Sequence, residues 1–115
     1  MDNIEISTNV LKEIATTTIE GIAGARLAAA PLNVGEVLRT KQATRRPQAL
    51  RMTRDGNSVT VDLGLDIEYG RNLVAVSRAA QREICENIEL MSGLKVRAVN
   101  VAVVNVVLPA ERGTL

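Results

Sequence analysis

The sequence predicts an α+β domain, a two-layer sandwich in which two amphipathic helices pack on one face of a small mixed β-sheet. Three observations predict this fold. Two segments each carry a single apolar stripe at helical spacing, within 8–22 and 73–91. Two alternating runs are joined by a turn at 55–57, which indicates a β-hairpin. A valine-rich run at 95–108 indicates a further long strand. Two helices with one apolar side each need a shared surface, and the alternating hairpin supplies it.

The first helix is preceded by a short predicted strand at 3–7, where apolar and polar residues alternate. Ser7 is placed to cap the helix, and Gly21 is expected to lie at its end. The segment 25–31 fits either a weak strand or a linker. The apolar stripe of this helix consists of Val10, Leu11, Ile14, Thr18 and Ile22.

The second strand of the hairpin sorts its side chains by face, because successive residues of a strand point to opposite sides. Its apolar row is Val59, Val61, Leu63, Leu65, Ile67 and Tyr69. Its second row is Thr60, Asp62, Gly64, Asp66 and Glu68. The apolar row is therefore predicted to face the core.

The second helix is predicted between Asn72, which offers a cap, and Gly93, which offers a stop. Its apolar stripe is Leu73, Val76, Ala80, Ile84, Ile88 and Met91. In the final strand, simple alternation makes both sides apolar: Val96, Ala98, Ala102, Val104 and Val106 against Val99, Val101, Val103 and Val107. Such a strand is expected in the middle of a covered sheet. Because the helices cover only one face, the other side of this strand is expected to meet a partner.

Length and composition indicate a single globular domain over residues 1–115. Two parts are expected to be poorly packed, a basic, mobile connection at about 29–47 and a loose tail at 110–115. No signal peptide is predicted, because the N-terminus lacks a basic region followed by an apolar one. No apolar run is long enough to span a bilayer. The expected location is the cytoplasm.

The composition argues against most catalytic chemistry. The chain has no His, which removes the commonest general base and metal ligand, and it has one Cys. Cys85 flanks the apolar stripe of the second helix and is interpreted as a packed small side chain, because no His is present to generate a thiolate. No phosphate loop, dinucleotide fingerprint or metal-ligand spacing occurs. We therefore predict no catalytic residue, cofactor or metal site, and no enzyme activity.

The acidic row of the hairpin is the first candidate site. Asp62 and Asp66 are four residues apart on one strand, so their Cβ atoms are separated by about 13 Å. This distance is too long for a shared proton or a single metal ion. The interpretation is the solvent side of a sheet, with ion pairs to Arg51 on the hairpin partner or to Arg97 on the last strand.

A basic stretch is the second candidate site. Residues 39–54 contain six cations and no acid. Arg39, Lys41, Arg45 and Arg46 are candidate contacts for phosphate, an anionic lipid headgroup or an acidic protein surface. The alternative is a solvated basic loop. Tyr69 is the only aromatic residue, so electrostatic docking is favoured over stacking on nucleobases.

The second helix carries its charges in an unusual order. Arginines gather at its start and glutamates at its end, which opposes the helix macrodipole. A head-to-tail contact between copies is one explanation, and exposed charges without a partner are the other. The candidate residues for self-association are Arg78, Arg82, Glu86 and Glu89, together with Val99, Val101 and Val103 of the final strand.

Several motifs resemble the alkaline shock protein family of bacterial envelope stress response proteins. The most specific are the junction Tyr69-Gly70-x-Asn72, the helix end Met-Ser-Gly-Leu at 91–94 and the strand Val-Asn-Val at 99–101. The resemblance covers nearly the whole chain except the basic connection. It implies a small cytoplasmic, self-associating protein without a catalytic set, linked to envelope stress and in places to lipid synthesis. Some members are held at the inner side of the membrane by a separate anchor protein.

The sequence thus favours a non-enzymatic scaffold or adaptor of the envelope stress response. Its expected partners are itself, as a homo-oligomer, and a second protein, with a membrane-anchored protein as one candidate. The alternative is a KH-like nucleic-acid-binding domain, which would use the Gly-Ile-Ala-Gly loop at 21–24 and the basic segment 39–54. An enzyme acting on a small molecule is a third hypothesis, and it would require a concave pocket with converging polar groups.

Overall fold

The computed structural model of the chain describes residues 4–29 and 49–109. The elements in chain order are α1 (Thr8–Glu20), β1 (Ala25–Leu27), β2 (Leu50–Asp55), β3 (Ser58–Glu68), α2 (Leu73–Ser92) and β4 (Lys95–Val107). They form the predicted α+β sandwich, with both helices on one face of a four-stranded mixed sheet.

β3 is the centre of the sheet. β4 pairs with it in parallel along its whole length, and α2 is the crossover between these two strands. β1 and β2 both pair antiparallel with the other edge of β3, one after the other. They meet opposite Gly64, whose N–H donates to Ala49 O and whose carbonyl accepts from Ala28 N, each at 2.9 Å. The polarity of the sheet is therefore mixed, as the sequence predicts.

The helix boundaries follow the predicted caps. Ser7 Oγ accepts a hydrogen bond from Val10 N at 3.2 Å, and α1 ends at Gly21. Asn72 Oδ1 accepts from Ala75 N at 2.9 Å at the start of α2. α2 ends at Gly93, which has a φ of 78°, a left-handed conformation that glycine adopts without a steric penalty.

The core lies between the two helices and the apolar row of β3, which is buried along five alternate positions. The buried members of this cluster are Leu11, Ile14, Ala15, Ile19, Met52, Val59, Val61, Leu63, Leu65, Ile67, Ala80, Ile84, Ile88, Leu94 and Val99. Tyr69, the last member of the predicted row, is exposed. The single cluster explains why both helices lie on one face, since each can bury its apolar stripe only there.

Two bulges in β4 overturn the simple alternation that the sequence suggests. The register with β3 shifts between Val59 and Thr60 and again between Leu65 and Asp66, so that one extra β4 residue is inserted at each point. The β4 residues opposite the buried row of β3 are Val96, Val99, Val101, Val103 and Val106. The predicted grouping of Val96 with Ala98 and Val104 is therefore wrong.

The predicted central position of β4 is also wrong for the described part of the chain. There β4 has one neighbour, β3, and lies at the edge of the sheet. The apolar character of its two sides reflects the phase shifts at the bulges rather than burial between two layers.

Two smaller differences concern local structure. Residues 4–7 form no strand, contrary to the prediction for 3–7; Ile6 packs against the core and its carbonyl accepts from Arg54 Nη1, whereas Ile4 is exposed. The hairpin turn has two central residues, Gly56 and Asn57. Gly56 alone has a positive φ, of 62°, which is the pattern of a type II′ turn.

Neither α1 nor α2 combines the length and the apolar composition that a bilayer-crossing helix requires. The basic connection and the tail predicted at about 29–47 and 110–115 lie almost entirely outside the described residues.

Candidate functional site

The outer edge of β4 is partly covered by side chains of α2. Glu89 Oε2 accepts a hydrogen bond from Val96 N at 2.8 Å. Gln81 Nε2 donates to Val99 O at 2.9 Å. Because these backbone groups belong to an edge strand, they would otherwise need water or another strand as a partner. The first half of the β4 edge is therefore partly protected by the protein itself.

The second half of this edge, at 101–106, receives no such cover from the described side chains. Successive residues of a strand direct their backbone groups to opposite neighbours, so Val101 and Val103 point their backbone groups to the same side as Val99. Val103 is 38% exposed and Val106 is 48% exposed. We call the segment 101–106 the open edge; it combines unpaired strand geometry with exposed valines.

Further exposed apolar residues lie at the same end of the sheet. Tyr69 N donates to Val107 O at 2.7 Å, which fixes the end of β3 beside the end of β4. Tyr69, Leu73 and Val74 are all exposed, and so is Leu108 after the strand. Several exposed apolar side chains therefore accompany this end of the sheet.

The charged residues of α2 differ in their surroundings. Arg78, Arg82 and Glu86 are exposed, and none of them belongs to an ion pair between described residues. Glu89 is half-buried and held by Val96. Arg71 pairs with Glu68 at 3.4 Å. The head-to-tail contact between copies remains a prediction, and its exposed candidate residues are Arg78, Arg82 and Glu86.

The acidic row of β3 is built differently from the sequence prediction. Asp62 Oδ1 accepts from Asn100 Nδ2 at 2.8 Å, and Asp66 Oδ1 accepts from Asn105 Nδ2 at 2.9 Å. Asp66 is only 9% exposed and also pairs with Arg26 at 3.6 Å. This row is therefore a set of cross-strand polar pairs, and at Asp66 it is not a solvent side.

The predicted arginine partners are also revised. Arg97 pairs with Asp55, at 3.8 Å, rather than with either acid of the row. Arg51 lies opposite Asp62 in the register, but no ion pair joins the two side chains among the contacts of the described chain. Neither asparagine partner was predicted, because each depends on a bulge in β4. The extra residue before Ala98 places Asn100 opposite Asp62, and the bulge at Val104 places Asn105 opposite Asp66.

A shallow depression of about 530 Å³ surrounds Gly64 on the sheet face opposite the helices. A Cβ atom at this position would lie 2.8 Å from Val104 Cγ2 and 3.2 Å from Ala49 Cβ, so the close approach requires glycine. On the rim, Asp62 is already hydrogen-bonded to Asn100. The depression thus combines small apolar side chains with the side chain of Arg51, which also lines it.

The described residues offer neither a metal-binding group nor a reactive thiol. Within 4–29 and 49–109, no three His, Cys, Asp or Glu side chains come together in a group that could hold a metal ion. Partial burial raises the pKa of the Cys85 thiol, and the charge and hydrogen bonding of Glu89 and the charge of Glu86 raise it further. Because Cys85 also packs against the core, its role as a packed side chain is confirmed.

The remaining predicted sites fall into two groups. Arg39, Lys41, Arg45 and Arg46 lie outside the described residues, and their role stays a prediction. The Gly-Ile-Ala-Gly loop at 21–24 leads from α1 into β1 rather than into a second helix, and Ile22 packs against the core. This setting differs from the helix–loop–helix that a KH-type nucleic-acid loop would need.

Comparison with known proteins adds a family to this description. A model of the alkaline shock protein 23 (Asp-23) family, with a cell envelope-related function, matches residues 1–108. Comparisons with curated proteins and with solved structures gave no match. The family match covers both helices and every strand of the described sheet. The chain therefore belongs to the alkaline shock protein 23 family, and its function is related to the cell envelope.

Proposed function

We propose that this protein is a non-enzymatic scaffold of the envelope stress response, which associates with itself and docks on a second protein. It acts in the cytoplasm, and a partner anchored in the membrane would place it at the inner membrane face. The self-association uses the open edge of β4. The envelope-related family supports the setting, and the absence of His from the chain supports a role without catalysis.

The observation that carries this proposal is the contrast between the two halves of the β4 edge. The N–H of Val96 and the carbonyl of Val99 are each bound by an α2 side chain, whereas the backbone of 101–106 is bound by no described side chain. Proteins protect edge strands against unwanted pairing, and an unprotected apolar edge is a template for another strand. The open edge is therefore suited to antiparallel pairing with the open edge of a second copy.

The exposed apolar residues beside the open edge support the same contact. Two copies paired at 101–106 would bring together Val103 and Val106, both exposed, from each chain. A two-fold contact uses one surface twice, so every apolar side chain on it is buried in both copies. Burial of apolar area provides the free energy that strand pairing alone supplies poorly.

The test is the mass of the full chain in solution. Sedimentation velocity should give a mass that is a multiple of 12.4 kDa and that depends on protein concentration. Val103→Asp should lower this mass, because it places a charge in the open-edge contact. Val10→Asp, a similarly exposed valine on α1, should not change the mass. A wild-type chain that sediments only as a monomer would refute self-association.

A further inference from the structure

We propose that the groove between α1 and α2 binds a cationic amphipathic helix of a partner protein. This inference rests on the partner-docking part of the proposed function and uses a surface separate from the open edge. The groove has a volume of about 490 Å³ and is lined by residues of both helices. That volume accommodates a few anchoring side chains at the i, i+3 and i+4 spacing of a helix.

The buried hydroxyl of Thr18, at the floor of the groove, already has its hydrogen-bond partners within the protein. Thr18 Oγ1 donates to Ile14 O at 2.7 Å and accepts from Asn87 Nδ2 at 2.8 Å. The hydroxyl of Thr18 therefore already has both a donor and an acceptor partner within the protein, and a ligand need not supply one.

The walls of the groove offer exposed apolar side chains. Val10 on α1 is 44% exposed, and Met91 on α2 is 66% exposed. Flexible methionine side chains adapt to different apolar partners and are frequent on surfaces that bind peptides. These residues would contact the apolar side of a docked helix.

The charges of the groove select the sign of the ligand. Glu13 lies on the α1 wall and Glu83 on the α2 wall, and the described lining contains no cation. Acids on both sides of an apolar floor complement a helix that carries Lys or Arg along both borders of its apolar stripe. The same charges repel nucleic acid and anionic lipid headgroups, so a protein segment is the occupant we assign.

The test uses the full chain and a labelled probe. The probe is a fluorescein-labelled helical peptide of about 14 Leu and Lys residues arranged with one apolar side, and the control peptide replaces Lys by Glu. Fluorescence anisotropy should show binding of the Leu–Lys peptide that weakens as salt is added. Equal binding of the Leu–Glu peptide would overturn the proposal.

Matched variants locate the contact. Glu13→Lys with Glu83→Lys should weaken peptide binding by about tenfold or more, whereas Asp55→Lys with Glu68→Lys makes the same charge change elsewhere and should not. Glu13→Gln with Glu83→Gln gives the same direction with a smaller loss, should the lysine variant fail to fold. Equal losses in the groove variants and the Asp55 and Glu68 control would overturn the groove as the site.

Two further measurements distinguish this proposal from self-association and from binding of the chain's own basic segment. Sedimentation of the groove variants should show unchanged self-association. A loss of peptide binding without a change in mass therefore locates the peptide site in the groove. A change in mass would show instead that these residues take part in self-association. An unlabelled peptide of residues 31–47 is added as a competitor. Displacement of the Leu–Lys probe by this peptide, at equal or lower concentration, would reassign the groove to the basic segment of this chain and overturn a foreign partner.

Discussion

The carboxylate of Glu89 accepts a hydrogen bond from the backbone N–H of Val96, with Oε2 2.8 Å from the nitrogen. This contact joins the end of α2 to the outer edge of β4. It lets one helix pack on the sheet and also satisfy the backbone of the edge strand. The contact therefore sets where the protected part of the edge begins.

Replacement of Glu89 by Ala should lower the free energy of unfolding by about 1 kcal/mol, because it leaves the N–H of Val96 without its charged acceptor. Glu89→Gln keeps an acceptor oxygen and should lose less than half of this. Urea unfolding measures both, with Glu86→Ala as the control on an exposed position of the same helix. Equal stability of Glu89→Ala and the control would contradict the role of the contact.

The two acids of β3 should differ in their effect on stability. Asp66→Ala removes a nearly buried acceptor that serves both Asn105 and Arg26, and we expect a loss of about 1–3 kcal/mol. Asp62→Ala removes an exposed contact with Asn100, and we expect a loss below about 1 kcal/mol. Thermal or urea unfolding compares them. A larger loss of stability for the Asp62 variant than for the Asp66 variant would contradict the greater contribution assigned to the buried Asp66.

The thiol of Cys85 should react slowly near neutral pH. Partial burial, then Glu89 and Glu86, raise its pKa above the ordinary value of 9.0, and the thiolate is the reactive form. Alkylation by iodoacetamide at pH 8 should be faster in the unfolded chain than in the folded chain. Glu89→Gln should accelerate the reaction of the folded protein, whereas Glu83→Gln, on the α1 side of the helix, should not.

The same pKa shift has a consequence for stability. The folded chain holds the Cys85 proton more tightly than the unfolded chain, so this contribution is complete below pH 9.0 and is lost as the pH rises through the raised pKa. Cys85→Ser should remove this part of the alkaline loss of stability. An identical pH dependence in the variant and the wild type, between pH 8 and 11, would refute the shift.

The order of charges along α2 predicts a rescue between two variants. Arg78→Glu with Arg82→Glu makes the exposed side of the helix acidic, and Glu86→Lys makes it basic at the other end. Each variant alone should associate less than the wild type, because like charges meet in a head-to-tail contact. An equimolar mixture should associate again, and added salt should weaken it. Failure of the mixture to recover, or association that is indifferent to salt, would exclude this contact.

The sequence is sufficient to predict the caps and the buried row, because these depend on local chemistry. Ser7, Asn72 and Gly93 each satisfy or terminate the backbone of a neighbouring helix, and alternation in β3 reports burial directly. The family is also predictable from short structural motifs such as the junction at Tyr69 and Gly70.

The sequence is not sufficient to predict what depends on register between distant segments. The bulge at Val104 shifts β4 by one residue, and only this shift brings Asn105 opposite Asp66. The contact of Gln81 with Val99 likewise depends on where α2 lies above β4, which no local pattern encodes. For the same reason the groove between α1 and α2 cannot be predicted before the two helices are placed together.

The most direct test of the proposed self-association is a cross-link at the open edge. In a Cys85→Ser background, Val103→Cys should form a disulfide-linked dimer under mild oxidation, because antiparallel pairing at 101–106 brings this position close to its copy. A non-reducing gel detects the linked dimer. Thr53→Cys, at an exposed position of β2, should remain monomeric on the same gel. If Val103→Cys stays monomeric while the uncrosslinked protein sediments as an oligomer, the copies meet elsewhere and the assignment of the open edge is wrong.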